Sequence, residues 1–484
     1  MLTLDFPLWR ARIASWRGRL RSLRQHQLHH LEALFGSGIP AGALSQTDQG
    51  PNSRRRVYTI GRTFWGFLYQ VLHPHCPCRT IVRQVQALCA LQGAGCPDEN
   101  SSAYCQARLR LPLDLLQRLR HAIATRAHRL LPEAQERWYG LCPKVIDGTS
   151  LSLPDTPKNQ RAYPQCRSQK PGCGFPLMNL VAIFSLSTDV LLDYAKSNKH
   201  QNERPLLNRL LDRFQAGDLA LADRGFCSYG LIALLLARQV QSLFRLHQSR
   251  SADLRQGQRL GKHDRLFTWQ RPGHKPRYLP KGLWKRIPAR FTVRVLRFQV
   301  QIPGFRTESV TLMTTLCDPR AYPAQELARL YGRRWRIELW FRDIKTTMGM
   351  EVLRCQSPEM VHRELEMFFI AYNLIRGLTL EAAVIYEVPL ERISFKGTID
   401  TTAQFTVAIA QARSKKKQRE LIAQLLRIIA ADALPNRPGR CEPRVRKRRP
   451  KYFPLLNQPR RQLRDMLLRK RSTKNTPRKS RPLS

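Results

Sequence analysis

The sequence predicts a mixed α/β protein. A central core is interrupted by a β-rich insertion, preceded by an all-α N-terminal region and followed by a helical, then strongly basic, C-terminal region. Three observations predict this. Apolar positions recur at helical spacing up to about residue 135. From about 138, short apolar strands and amphipathic helices follow in the order β-β-β-α-β-α-β. Between about 250 and 307 the composition turns to Arg, Lys, Gly and Pro with strand-like pieces inside it. The expected division is 1–135, 136–249, 250–307, 308–400, 401–434 and 435–484, with the core shared between the second and fourth segments.

In the N-terminal segment, "TFWGFLYQVL", "TIVRQVQALCAL", "SSAYCQARLRL" and "PLDLLQRLRHAIATRAHRLL" carry the helical pattern, with Ser101 and Ser102 as candidate caps of the third. The helices flanking "QGAGCPDEN" could form a helix-turn-helix with Gln106, Arg108 and Arg110 facing DNA, or an ordinary bundle with a basic face; the connecting loop is long for the former. "KVIDGTSLSL" reads as a strand and turn. "MNLVAIFSL" and "DVLLDYAKS" read as a hairpin turning at Ser187–Asp189. "NERPLLNRLLDRF" is an amphipathic helix, "DLALADRGF" a strand entering a loop, "SYGLIALLLARQ" a helix and "QSLFRLH" a strand. In the insertion, "RLFTWQ" and "RFTVRVLRFQVQI" are strand-like, and "SVTLMTTL" re-enters the core. A long helix is expected from about 323, then helices over "EMVHRELEMFFIAYNLIRGLTLEAAVIYE" and "TTAQFTVAIAQARSKKKQRELIAQLLRIIAAD". The Pro/Arg/Lys-rich end is expected to be largely disordered without a partner.

Composition narrows the function. The 484 residues leave ample room for a core, and 42% hydrophobic content is ordinary for a globular protein. The charge is not ordinary: 83 Lys and Arg face 35 Asp and Glu, a formal net charge of +48. A field of that sign and size points to a polyanion, usually nucleic acid. A single basic tail does not explain it, because Arg and Lys also crowd 9–24, 54–62, 271–297 and 333–345. The 12 cysteines contain no CxxC pair. "HPHCPC" (His73, His75, Cys76, Cys78) has zinc-ligand types, but its spacing suits a tetrahedral site poorly and no second pair follows. Reduced thiols in a reducing cytosol are expected instead. The start "MLTLDFPLWRARIASW" has an early Asp5 and no apolar h-region, so no secretory signal is expected. No run approaches ~18 uncharged apolar residues, so no membrane partner is expected.

Three acids stand out. On a helix at about 100° per residue, Tyr331, Arg334, Glu338 and Lys345 share one stripe, with Arg342 beside them. Leu330, Ile337, Phe341, Ile344 and Met348 form a separate apolar face. One carboxylate among fixed cations suits a metal ligand beside phosphate-gripping groups, although pairing of Glu338 with Arg334 or Arg342 would give the same pattern. Asp343 points elsewhere around the helix. Asp147 ends "KVID" and Asp223 ends "LALAD", each where an apolar strand meets an open turn, the edge at which α/β sheets bind ligands. Turn initiation would also place Asp there. Asp155, Asp189, Asp193 and Asp218 read as turn or surface residues. Three carboxylates near a phosphate suit Mg²⁺, and two such ions roughly 4 Å apart would support in-line displacement.

The spacing Tyr331-x2-Arg334-x3-Glu338-x6-Lys345 resembles the Tyr-Arg-Glu-Lys signature of DDE-type transposases of insertion-sequence family four. "IDGT" at Asp147 and "ADRGF" at Asp223 are similar to that family's first and second acidic blocks, in the same order. The resemblance covers about 140–400. It implies a ribonuclease-H-like core carrying a β-rich insertion, and cut-and-paste transposition of DNA. Asp147, Asp223 and Glu338 would be the catalytic residues and the ligands of two Mg²⁺, with Mn²⁺ as a substitute. Tyr331, Arg334 and Lys345 would contact phosphates of the transposon end, joined by Arg342 and by Arg224 beside Asp223. Trp335 would stack a flipped base if a hairpin intermediate forms, with Trp269 or Trp284 as a second surface. The implied partners are double-stranded DNA, both transposon inverted repeats and target, and a second copy of the chain in a synaptic dimer. The implied location is the bacterial cytoplasm, associated with the nucleoid. A structure-specific nuclease on the same core and a non-catalytic DNA-binding derivative are the rival readings.

Overall fold

Strand–helix alternation is the dominant feature of the computed structural model, which describes residues 30–45, 56–200, 203–246, 253–300, 308–435 and 454–474. Nine strands share one sheet: β1 (Cys142–Ser152), β2 (Leu177–Ser185), β3 (Leu191–Asn198), β4 (Asp218–Ala222), β5 (Gln241–Arg245), β6 (Gln258–Gly261), β7 (Asp264–Gln270), β8 (Arg290–Val300) and β9 (Glu308–Thr314). Their order across the sheet is β3-β2-β1-β4-β5-β9-β8-β7-β6. β1, β4 and β5 run parallel, and β2 and β3 form the expected antiparallel hairpin. The hairpin turn places Asp189 at φ 61°.

The helices, in chain order, are α1 (His30–Phe35), α2 (Ile60–Leu72), α3 (Cys78–Gln92), α4 (Ser102–Arg110), α5 (Leu113–His128), α6 (Glu133–Glu136), α7 (Pro157–Ala162), α8 (Glu203–Arg209), α9 (Tyr229–Leu236), α10 (Lys281–Arg286), α11 (Ala324–Arg333), α12 (Arg336–Arg342), α13 (Pro358–Ile385), α14 (Phe395–Ala410), α15 (Lys415–Ala431) and α16 (Arg460–Lys474).

Successive strand residues point to opposite faces, and the sheet uses both. Val145, Leu219, Leu221 and Leu243 enter the core shared with α5 and α11–α13. Ile146, Ala220, Ala222 and Phe244 enter a second core with α8 and α9. A sheet covered on both faces explains why its parallel strands read as continuous apolar runs. Helix α13 lies through the first core. By length and composition it could cross a membrane, the one such helix among the described residues, but 78% of its apolar window is buried inside the protein. Asn373 pins it to the sheet, with Oδ1 accepting from Leu191 N and Nδ2 donating to Leu191 O, both at 2.9 Å.

The structure changes several sequence expectations. The β-rich insertion joins the core sheet: β9 pairs antiparallel with both β5 and β8, so β8, β7 and β6 prolong that sheet. This pairing satisfies the backbone edge that β5 would otherwise expose. The long helix from about 323 is broken at Arg334–Trp335, where Arg334 N, Trp335 N, Ile337 N and Glu338 N each bond three residues back. These tighter bonds re-aim α12 relative to α11. It then opens into a π-helical turn over Asp343–Thr347. The C-terminal helix starts at Phe395, across the expected boundary at 400, and is split before Lys415, where Ser414 caps α15. Ser101 makes no capping bond; Asn100 Oδ1 accepts from Ser102 N instead.

Arg108 is partly buried. Its guanidinium lies over Phe67 and Tyr104 and donates to Gln70 Oε1, so the basic face expected of a recognition helix is partly turned inward. Within the basic end, Arg460–Lys474 is helical, and Pro459 packs on Gly172. The segments 1–29, 436–453 and 475–484 lie outside the described residues, including the basic run 9–24.

Candidate active site

Backbone register brings the first two acids together. β1 and β4 pair in parallel, with Val145 opposite Leu221 and Ile146 opposite Ala222. One step further along each strand stand Asp147 and Asp223. Parity puts both side chains on the face of Val145 and Leu221. Neighbouring strands lie about 4.8 Å apart, so the two carboxylates spring from adjacent positions. β4 ends there, while β1 runs on to Ser152 against β2, which leaves an open edge beside the acids.

The third acid arrives on the same face. Ile337, Trp340 and Phe341 of α12 are buried in the core that Val145 and Leu221 enter, and Glu338 is on the exposed side of that helix. All five residues of the expected apolar face, Leu330, Ile337, Phe341, Ile344 and Met348, are buried. Two signature residues tie the helix to the strand ends. Tyr331 Oη donates to Ala222 O at 3.5 Å, one residue before Asp223. Arg334 Nη1 stands 3.4 Å from Asp147 Oδ2.

The acids feel one another. Burial pushes the Asp147 carboxyl above the ordinary carboxylate range; the Gly148 N–H and Arg334 oppose this, and the charges of Asp223 and Glu338 add to the push. Arg334 serves Asp147 and Arg342 approaches Asp343 at 3.8 Å, so neither makes the helix ion pair with Glu338 that the spacing allowed. Among the described residues, no ion pair or hydrogen bond occupies the carboxylates of Asp223 or Glu338. No three acidic, His or Cys side chains among them enclose an ion by themselves. A site that completes its shell with water and phosphate oxygens, as Mg²⁺ sites do, fits this donor set.

The expected DNA contacts separate into two groups. Tyr331 and Arg334 are buried, at 4% and 5% exposure, and their polar groups meet Ala222 and Asp147. In this structure they lie against the acid-bearing strand ends. Burial also pushes the Tyr331 phenol up to about 12. Lys345 Nζ lies on β1 just past Asp147, bonded to Thr149 Oγ1 (3.3 Å) and Ser150 O (3.2 Å). Lys199 Nζ reaches Ser150 Oγ at 3.2 Å. Arg342 is well exposed and Arg224 half-buried, so cations rim the open edge. Trp335 is 38% exposed, beside the Arg334 guanidinium. Trp284 is buried in the second core, and Trp269, half-buried, packs against that core on Tyr229 and Phe291.

Sequence reasoning missed the clamp on α12. Asp189, Asp193 and Asp218 are not surface acids; all are buried and paired with Arg336, Arg120 and Lys144. Arg336 Nη2 meets Asp189 Oδ2 at 2.7 Å, two residues before Glu338. Arg376 of α13 pairs with both Asp343 and Asp189. The helix bearing Glu338 is thus held from both sides by buried charge pairs. The available signal was Arg376 itself, the one Lys or Arg in the apolar stretch "MFFIAYNLIRGLTL".

Residues 138–374 match a protein family described as transposase DDE domain. The transposase InsG of insertion sequence element IS4 from Escherichia coli (strain K12) is 28% identical over 411 residues, covering 83% of this chain and 88% of that protein. Among solved structures, the cryo-EM structure of a piggyBac transposase synaptic complex with hairpin DNA aligns over 84% of this chain and 85% of that one, with TM-score 0.41 and 10% identity.

Proposed function

Because this chain belongs to the DDE transposases of insertion-sequence family four, we propose that it cuts and joins DNA at the open edge where Asp147, Asp223 and Glu338 meet. The observation that carries the site assignment is the register of β1 with β4 together with the Arg334–Asp147 contact, which joins the Glu338 helix to the tip of β1. Enzymes of this family use divalent metal ions. The three carboxylates would hold two Mg²⁺, which when bound supply Lewis-acid activation of the nucleophile and charge stabilisation of the leaving oxygen.

The remaining work falls to the chain's own residues. Lys345, Lys199, Arg342 and Arg224 form a cationic rim that would hold the phosphate backbone in register, and Arg334 and Tyr331 keep the acid-bearing elements together. Water attacks a phosphodiester at the transposon end, the P–O3′ bond breaks, and a 3′-hydroxyl and a 5′-phosphate result. That hydroxyl then attacks a target phosphodiester, forming one P–O bond as another breaks. In a hairpin route the same hydroxyl first attacks the opposite strand, and Trp335, exposed beside the site, would stack the displaced base. A synaptic dimer bridging two inverted repeats and association with the nucleoid follow from the same reading.

The test uses labelled duplexes bearing the DNA that flanks the gene. Mg²⁺-dependent nicking followed by a joined product supports transposition, and chelation with EDTA should abolish both. Nicking without joining would favour the structure-specific nuclease. Binding with neither would favour a DNA-binding derivative.

A further inference from the structure

Glycine follows each of the two strand-borne acids: Gly148 directly after Asp147, and Gly225 two residues after Asp223. By strand alternation, a side chain at 148 would point away from the Asp147 face, toward the core covered by α8. That space is already filled by Glu203. A Cβ on Gly148 would stand 2.5 Å from Glu203 Cδ, closer than real contacts allow, and one on Gly225 would stand 3.7 Å from Glu203 Oε2. The carboxylate therefore lies against the backbone just past both acid-bearing tips.

The placement is built in. Glu203 opens α8, whose Leu206 and Leu207 are buried in the core that Ile146 and Ala222 enter. Arg204 Nε donates to Gly225 O at 2.7 Å, which fastens the start of α8 to the turn after Asp223. The charges of Asp147 and Asp223 both bear on Glu203. The charge of Lys199 also bears on Glu203, while Lys199 Nζ donates to Ser150 Oγ and Arg204 Nε to Gly225 O. Among the described residues, no ion pair or hydrogen bond occupies the Glu203 carboxylate. An acid in the first turn of a helix gains something from the helix dipole, but that gain is available to a solvent-facing side chain. It does not require a half-buried carboxylate within the field of two other acids, with a side-chain-free residue making room for it.

We propose that Glu203 supplies a fourth carboxylate to the divalent-cation site, reaching it from the face of the sheet opposite Glu338. The proposal rests on the reading of Asp147, Asp223 and Glu338 as cation ligands. Four acids drawn from two strand tips and two helices onto the cations would give them more shared ligands than three acids can, which suits hard cations that take several oxygens each.

Mn²⁺ binding to the full-length protein, followed by loss of the free-ion electron paramagnetic resonance signal, tests this without relying on activity. Glu203→Gln, isosteric and uncharged, should weaken Mn²⁺ binding by about tenfold or more. Gly148→Ala should do the same with every carboxylate retained, because its methyl displaces Glu203. Asp147→Asn serves as the reference. If Asp147→Asn loses Mn²⁺ while Glu203→Gln binds within about twofold of the unaltered protein, Glu203 is not a ligand and the three-acid site stands. If Asp147→Asn also binds normally, the site itself is misassigned. Should Gly148→Ala fail to fold, the Gln variant alone decides.

Discussion

Arg334 Nη1 lies 3.4 Å from Asp147 Oδ2, across the gap between the break in the signature helix and the tip of β1. Arg334 is only 5% exposed, its Cζ lies 5.5 Å from the centroid of the Tyr331 ring, and its Nε is buried with no partner. A cation so enclosed acts first on the acid it touches. It opposes the burial that raises the Asp147 carboxyl, and it fixes the distance between the strand and the helix bearing Glu338.

Arg334→Ala should therefore reduce nicking on the order of 100-fold while leaving DNA affinity within about twofold. Lys345→Ala should behave in the opposite way. Its main loss is in DNA binding, with the slope of log affinity against log salt reduced by about 1. Binding isotherms at several salt concentrations, read beside nicking rates, separate the two. A large affinity loss in Arg334→Ala would restore a direct phosphate contact for that residue.

The buried clamp makes a stability prediction. Arg376 joins Asp343 and Asp189 inside the protein, and Arg336 shares Asp189. Arg376→Ala would strand the Asp343 carboxylate in the interior and leave Asp189 with Arg336 alone, and should cost about 3–5 kcal/mol. Urea unfolding measures this directly. A loss below about 1 kcal/mol would show that the pairs are not coupled as drawn.

Acid sensitivity should be traceable to His362. Burial, then the charges of Lys196 and Arg363, lower its pKa to about 4, and its Nε2 lies 2.7 Å from Tyr163 Oη. In the unfolded chain it titrates near the ordinary 6.5. Between those values the unfolded chain binds a proton that the folded chain refuses. The stability it contributes is complete above pH 6.5 and is lost as pH falls toward 4. His362→Gln should flatten this part of the Tm–pH curve by roughly 1–2 °C between pH 6.5 and 4.5. An unchanged curve in calorimetry would contradict the assignment.

Trp335 offers a test of the hairpin route. Stacking a base on an aromatic ring is worth about 1–3 kcal/mol, so Trp335→Ala should cut hairpin product roughly tenfold or more while the first nick proceeds normally. Equal loss of both products would mean that Trp335 serves the fold.

Much of this was legible in the sequence because local pattern and tertiary demand agreed. "KVID" and "LALAD" end in acids because a strand covered on both faces must be apolar until it reaches the open edge. The five-residue face Leu330, Ile337, Phe341, Ile344 and Met348 is buried as its spacing requires. What remained hidden depends on packing between distant segments. Periodicity treats 323–348 as one straight rod and cannot show the break at Arg334–Trp335. Nothing local distinguishes Asp189, in a turn, from a solvated turn residue, because its partners Arg336 and Arg376 lie far along the chain. Arg108 looked like a DNA-facing cation because its spacing gives no sign of Phe67 and Tyr104 beneath it. Glu203 carries no local signal, because the glycine it packs against lies 55 residues earlier in the chain.

The most direct measurement is anomalous diffraction from crystals of the protein with duplex DNA, grown with Mn²⁺ in place of Mg²⁺. The account predicts strong anomalous peaks between Asp147, Asp223 and Glu338, within coordination distance of carboxylate and phosphate oxygens. Peaks elsewhere, with those three side chains contacting no ion, would contradict it.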